Sequence, residues 1–154
     1  MLFKNVAEYQ DIQYRNVISR YYTVSPEEMP DTYNAFLDEV REAGYTLRGP
    51  FFYTINSKLE ENQDVLMELF IPVEEEYIEN ALPKEFLYHS LFQVLNTVST
   101  RILEPDDESV KEGISFLAGY IYYQGHCELT PPFFFTTISD GKVYTDIKVG
   151  VLKE

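Results

Sequence analysis

The chain is short of cysteine, of basic residues and of long apolar runs, and it has no tryptophan at all. One cysteine, Cys127, cannot form an internal disulfide; with no apolar block and small-residue cleavage site after Met1, this predicts a cytoplasmic protein. No apolar run approaches the roughly 20 residues of a membrane helix, so no spanning segment is expected. Twelve Lys and Arg stand against 26 Asp and Glu, a formal charge of −14. Such a chain repels phosphate backbones and anionic lipid, which argues against nucleic-acid and membrane binding. The same charge suits a cationic ligand or a basic protein partner, or simply a solvated acidic surface. What the 154 residues do have is ring: thirteen Tyr and eleven Phe, side chains that build cleft walls and interfaces as well as cores.

The sequence repeats itself. Asn16-Val17-Ile18-Ser19 recurs as Asn96-Thr97-Val98-Ser99, Phe36-Leu37 as Phe116-Leu117, and Gly44 as Gly125. Gly49-Pro50-Phe51-Phe52-Tyr53-Thr54 is matched by Pro131-Pro132-Phe133-Phe134-Phe135-Thr136, and the run from Val65 to Val73 by that from Val143 to Val151. The order is kept, with small insertions between. This predicts repeat one over about 13–73, a connector over 74–84 and repeat two over about 85–151, all within one domain.

Each repeat reads strand–helix–strand–strand. Gln13 to Val24 and Phe86 to Leu103 are β-rich, the latter with a bend expected near Asn96. Ser25-Pro26-Glu27-Glu28 has the form of a capping box with proline at the first helical position, complicated by Pro30. Tyr33, Phe36, Leu37 and Val40 make a one-sided helical stripe, as do Val110, Ile114, Leu117 and Ile121; Gly44 and Gly125 end the helices. Asp106, Asp107 and Glu108 put negative charge at the second helix start. Phe51–Ile55 and Val65–Val73, then Phe133–Ile138 and Lys142–Val151, are strand pairs, the second closed by the hairpin dipeptide Asp140-Gly141. Residues 1–11 are a candidate extra edge strand. The expected fold is α+β: two fused β-α-β-β units with antiparallel sheets and one helix each, related by a pseudo-two-fold axis.

On Gly49-Pro50-Phe51-Phe52, on Glu68-Leu69-Phe70-Ile71-Pro72-Val73 and on Thr145-Asp146-Ile147-Lys148-Val149, in that order, the chain resembles the GyrI-like small-molecule-binding superfamily, a tandem β-α-β-β duplication also used as the effector domain of multidrug-response activators. Its length, acidity and aromatic first strand also look like a Firmicute branch of that superfamily, some of whose members are associated with type VII secretion toxin loci. The resemblance implies a central ligand cleft. In drug-binding and hydrolytic members a glutamate follows the aromatic residue of the second proline-aromatic motif, whereas the matching position here is Phe134. That departure weighs against hydrolysis and against cation binding by the family's usual group.

Candidate ligand-binding residues are therefore Tyr21, Tyr53, Glu68, Tyr122, Phe134 and Tyr144. Glu68 shares a strand face with Leu66 and Phe70, where a carboxylate can meet a cation; the alternative is a solvent-facing strand acid. Asp146 is its counterpart in the second repeat. Only one of Tyr21 and Tyr22 can face a given side, and Phe133, Phe134 and Phe135 are not all expected in the core. His89 and His126 lack a metal-ligand spacing, and Cys127 beside His126 does not make a nucleophilic pair. No catalytic residue, metal or cofactor is assigned. Glu74-Glu75-Glu76 with Glu79, and Glu60-Glu61, are candidate docking acids or solvated loops. Three functions follow in descending order: non-enzymatic binding of a small, apolar, cationic molecule; a chaperone-like or accessory role with a protein partner, such as a type VII effector, with the cleft plugged; and hydrolysis.

Overall fold

The computed structural model describes residues 5–57, 63–76 and 82–152, and for Tyr9 the backbone alone. Residues 1–4 of the candidate edge strand, Glu60-Glu61 and Glu79 lie outside the described residues. Antiparallel strands dominate, with two α-helices between them. In chain order these are β1 (Val6–Val24), a single 3-10 turn (Pro26–Glu28), α1 (Met29–Glu42), β2 (Phe52–Ile55), β3 (Val65–Pro72), β4 (Leu87–Leu103), α2 (Asp107–Tyr123), β5 (Cys127–Glu128), β6 (Phe133–Ser139) and β7 (Lys142–Leu152). The chain divides into two compact units, residues 14–92 and residues 1–13 with 93–154. The described part of the extra N-terminal segment is thus no separate strand: Val6 onward runs unbroken into β1. Both long strands are shared out, because β1 gives its opening to one unit and its remainder to the other, and β4 does the same.

In the 14–92 unit, β3 lies between β1 and β2 in an antiparallel sheet that β4 extends beyond β1. The register runs from Val17 opposite Pro72 to Val24 opposite Val65 on one side of β3, and from Phe52 opposite Phe70 to Ile55 opposite Met67 on the other. Alternation then sorts the side chains. Tyr22 and Tyr53 turn to α1, where Tyr22 meets Phe36 edge-on at 6.4 Å and Tyr53 stacks on Tyr33 at 5.1 Å. Ser19, Tyr21, Glu68, Phe70, Phe52 and Thr54 share the opposite face. The α1 stripe is as the spacing predicts, with Phe36 and Val40 fully buried. Its start is not. Ser25 makes no capping bond; Pro26 and Pro30 lack donors, and the entry tightens into the 3-10 turn, with the Glu28 amide donating to the Ser25 carbonyl.

In the other unit β7 pairs with β4, from Thr97 opposite Gly150 to Leu103 opposite Tyr144, and with β6, from Phe133 opposite Lys148 to Ser139 opposite Lys142. The short β5 adds Cys127 opposite Leu152, a pairing no sequence signal announced. Here α2 has the capping box: the Asp106 carboxylate accepts from the Ser109 amide at 2.7 Å and the Ser109 hydroxyl accepts from the Asp106 amide at 2.9 Å. Asp140 and Gly141 both take positive φ (52° and 74°), as a tight two-residue hairpin requires. Asn96 is left-handed at φ 60° and Asn16 at φ 58°, so the bend expected in β4 is present and β1 carries one as well. Phe133, Phe134 and Phe135 are all buried, divided between the two faces of β6 as alternation requires. Phe134 pairs with Ile147, whose Cδ1 lies beside Gly113 of α2. Phe133 and Phe135 take the other face, where the Lys148 ammonium sits 5.1 Å from the Phe135 ring centre.

Two outcomes test this packing. Phe134→Ala, which empties a site only 2% exposed, is expected to cost about 3–5 kcal/mol in a urea titration. Bonds from the Ser109 amide and hydroxyl hold the Asp106 carboxyl below its ordinary range. A depressed folded pKa gives stability that is present above the unfolded pKa and lost as pH falls through the folded one. The difference in urea midpoint between wild type and Asp106→Ala should therefore narrow on acidification.

Candidate functional site

The face of the 14–92 sheet opposite α1 holds a buried polar chain. Glu68, on β3, is 8% exposed and Ser19, on β1, is wholly buried. The Ser19 hydroxyl donates to Glu68 Oε2 at 2.8 Å, and Ser19 Oγ lies 2.9 Å from Nε2 of His89 on β4. The one hydroxyl proton of Ser19 goes to the carboxylate, so Nε2–H of His89 supplies the proton of the second bond. Tyr21 is the register partner of Glu68. The Glu68 carboxylate beside it, and then burial, hold the Tyr21 phenol above its ordinary pKa. The chain His89–Ser19–Glu68 thus runs across three strands.

Aromatic rings stand around it. Phe52 stacks on Phe70 at 4.8 Å and 3°, Phe92 lies 4.8 Å from Phe70, and the His89 ring is 5.9 Å from Phe92 and 6.4 Å from Phe70. A carboxylate in such surroundings costs free energy unless it is hydrogen-bonded or paired. Here the bond comes from the Ser19 hydroxyl. Among the described residues no Lys or Arg pairs with Glu68. Arg20, next to Ser19 in sequence, points to the other face, where it meets Glu39 at 3.3 Å and lies over the Tyr22 and Phe86 rings.

The second carboxylate singled out from sequence is placed differently. Asp146 pairs with Arg101, which donates from Nε at 2.7 Å and from Nη2 at 3.0 Å and covers the Tyr144 ring at 5.4 Å. One closing strand therefore carries an ion-paired acid and the other an acid with no Lys or Arg partner among the described residues.

Of the six residues chosen from sequence, the structure brings Tyr21 and Glu68 together. Tyr53 is on the α1 side of the same sheet; burial holds its phenol and that of Tyr33 above their ordinary values. Phe134 is packed toward α2, Tyr122 is 81% exposed, and Tyr144 lies under Arg101. Ser19, His89, Phe52 and Phe92 were missed. Ser19 is two residues before Tyr21 and so on its face, a signal available from alternation; His89 had been weighed only as a metal ligand. Among the described residues no group of three His, Cys, Asp or Glu is placed to hold a metal, and no helix is long and apolar enough to cross a membrane. An open depression of about 680 Å³ runs along α2, lined by Asp107, Glu108, Lys111, Glu112, Ser115 and Phe116. It contains none of the chosen residues and no side chain from the Glu68 chain.

Residues 13–153 match the family described as a domain of unknown function, DUF5085. Among curated proteins none matches in sequence. The fold is that of the EcmrR C-terminal domain: the crystal structure of that domain superposes with a TM-score of 0.76 at 18% identity, covering 100% of both chains. EcmrR in a cryo-EM structure of its DNA complex gives 0.79 at 17% identity, covering 97% of this chain. This chain spans 57% of the EcmrR chain in that complex.

Removal of the Ser19 hydroxyl leaves both the carboxylate and the His89 N–H short of a partner. Ser19→Ala is expected to cost about 1–3 kcal/mol by chemical denaturation, more than Glu68→Gln, whose amide oxygen still accepts from Ser19.

Proposed function

We propose that this chain, which belongs to the DUF5085 family, is a non-enzymatic GyrI-like binding protein that takes a small, apolar, cationic molecule at Glu68. One observation carries the reading: a buried carboxylate, held by the Ser19 hydroxyl and bordered by aromatic rings, with no Lys or Arg partner among the described residues. A cation there would gain the Coulomb attraction of a low-dielectric site and the ring faces together. Glu68 would then do from the first repeat what the family's glutamate does from the position here filled by Phe134. The repeated element order, and closing strands that pair in the same sense with Tyr21 opposite Glu68 and Arg101 opposite Asp146, support a duplication in which only the first copy kept its acid open.

A second reading is supported by a different observation. Phe52, Phe70 and Phe92 fill the space beside Glu68, while Tyr122 and Tyr123 at the end of α2 are 81% and 63% exposed. That is the pattern of a protein-docking accessory factor with exposed rings and a plugged interior.

The two readings part in a thermal-shift series with lipophilic cations and neutral aromatics of matched size. The binding reading expects saturable stabilisation by cations, about 2.7 kcal/mol at 100 times the dissociation constant, absent in Glu68→Gln. A flat response to every cation by wild type, with the protein folded, would sink it in favour of docking.

A further inference from the structure

His89 is hydrogen-bonded on one side of its ring only. Nε2 lies 2.9 Å from Ser19 Oγ, and the Ser19 hydroxyl donates to Glu68 Oε2 at 2.8 Å. The other nitrogen, Nδ1, has no hydrogen-bond partner among the described residues. Those polar side-chain atoms that are fully buried without a partner are the Tyr22 hydroxyl, Thr97 Oγ1 and His126 Nδ1; Nδ1 of His89 is not one of them, so it touches water. The ring thus has an inner nitrogen committed to Ser19 and an outer nitrogen open to a proton. On this face of the 14–92 unit the other titratable groups are Glu68 on β3 and the phenols of Tyr14 and Tyr21 on β1. Burial holds the Tyr14 phenol above its ordinary value and the Glu68 carboxylate does so for Tyr21, so both phenols are uncharged near neutrality. Tyr14 stacks on Phe52 of β2 at 5.6 Å, and the β2 residue opposite Glu68 is Thr54. Arg20 and Glu39 pair on the α1 side, and Tyr88, next to His89 on β4, donates to Asn16 and to the Glu75 carbonyl. Of these groups only Glu68 brings charge to the face that His89 shares.

We infer that His89, without touching a ligand, sets the charge of the Glu68 site through Ser19, so that a proton on the His89–Ser19–Glu68 chain and a cation at Glu68 exclude one another. The inference rests on the cation-binding reading of Glu68. With His89 neutral, Nε2–H donates to Ser19, Ser19 donates to the carboxylate, and the chain carries one negative charge. A further proton from water enters at Nδ1. Held there, it leaves an imidazolium two short hydrogen bonds from the carboxylate. Passed on, the Nε2 proton moves to Ser19 and the Ser19 proton to Glu68, leaving a neutral imidazole and a neutral carboxyl. Both arrangements hold the same number of protons and have no net charge, so the chain titrates as one unit. Either one cancels the negative charge that draws a cation in among the rings. Linkage is reciprocal, so a bound cation drives the proton off in turn. Affinity is therefore highest where the chain is unprotonated and falls as pH drops.

The test is calorimetric titration of the full chain with benzyltrimethylammonium, whose own charge does not change with pH. It runs from about pH 8 to about pH 5.5, the range in which imidazoles titrate, in two buffers of different ionisation heat. The inference expects wild-type affinity to fall about tenfold over that range, as competition with one proton on an imidazole gives. It also expects the binding heat at the acid end to differ between the buffers, because a proton is released. In His89→Gln, whose amide still donates to Ser19 but takes no proton, the fall and the buffer difference should vanish, whatever affinity remains. Proton NMR of wild type follows the same event without a substitution: at the acid end the His89 ring signals should move toward their high-pH position as the cation is added. Binding of constant strength across the range would overturn the inference while leaving Glu68 as the cation site. A fall that persists in His89→Gln, or His89 signals that stay in place, would overturn it by taking His89 out of the titration. If wild type binds no cation at any pH, the reading of Glu68 fails and this inference with it.

Discussion

The register between β1 and β3 decides everything the 14–92 unit can do. With Tyr21 opposite Glu68, the acid, its donor Ser19, the Tyr21 side chain and the Phe52–Phe70 stack share one side of the sheet, and Tyr22 and Tyr53 share the other with α1. Side chains alternate with a period of two, so a slip of one residue would send Glu68 under α1 and Tyr22 to the far side. The hydrophobic alternation of β3 forbids the slip, because Met67, Leu69 and Ile71 would then lose their place beneath the helix. The chemistry of the site is thus a by-product of a packing rule: the residue that breaks the apolar face does so at a position the fold will not release.

That rule explains how far the sequence could be read. Strand and helix positions came from periodicity and glycine stops, and most lie within a residue or two of the observed ends. Glu68 lies on the strand face that alternation assigns it, with Leu66 and Phe70, and is buried there. The N-terminus of α1 does not follow its sequence signal, because Ser25 and Glu28 meet the spacing of a capping box, but two prolines nearby deny it the geometry. The burial of three consecutive phenylalanines also went unread. Alternation says that they divide between faces and is silent on whether both faces are covered. His89 illustrates a different gap: its role depends on a serine 70 residues away, and no local pattern encodes that distance.

Glu68 and Asp146, each on a strand that closes its half of the sequence, differ in what faces them. An arginine opposite Asp146 closes that acid in a two-pronged ion pair, while Glu68 has a tyrosine opposite it and a neutral serine hydroxyl as its donor. Opposing a carboxylate with guanidinium spends its charge; opposing it with phenol preserves it. The difference lies in one side chain on each of two strands. It leaves one acid in an ion pair and the other, among the described residues, without one.

The handover of strands has its own consequence. The 14–92 unit includes the start of β4 from the second half of the sequence, and the other unit includes residues 1–13 from the first half. Cutting the chain at its acidic connector would give neither piece a full set of strands. A recombination event that replaced one half would therefore have to bring along, or match, the opening strand segment that the other half requires.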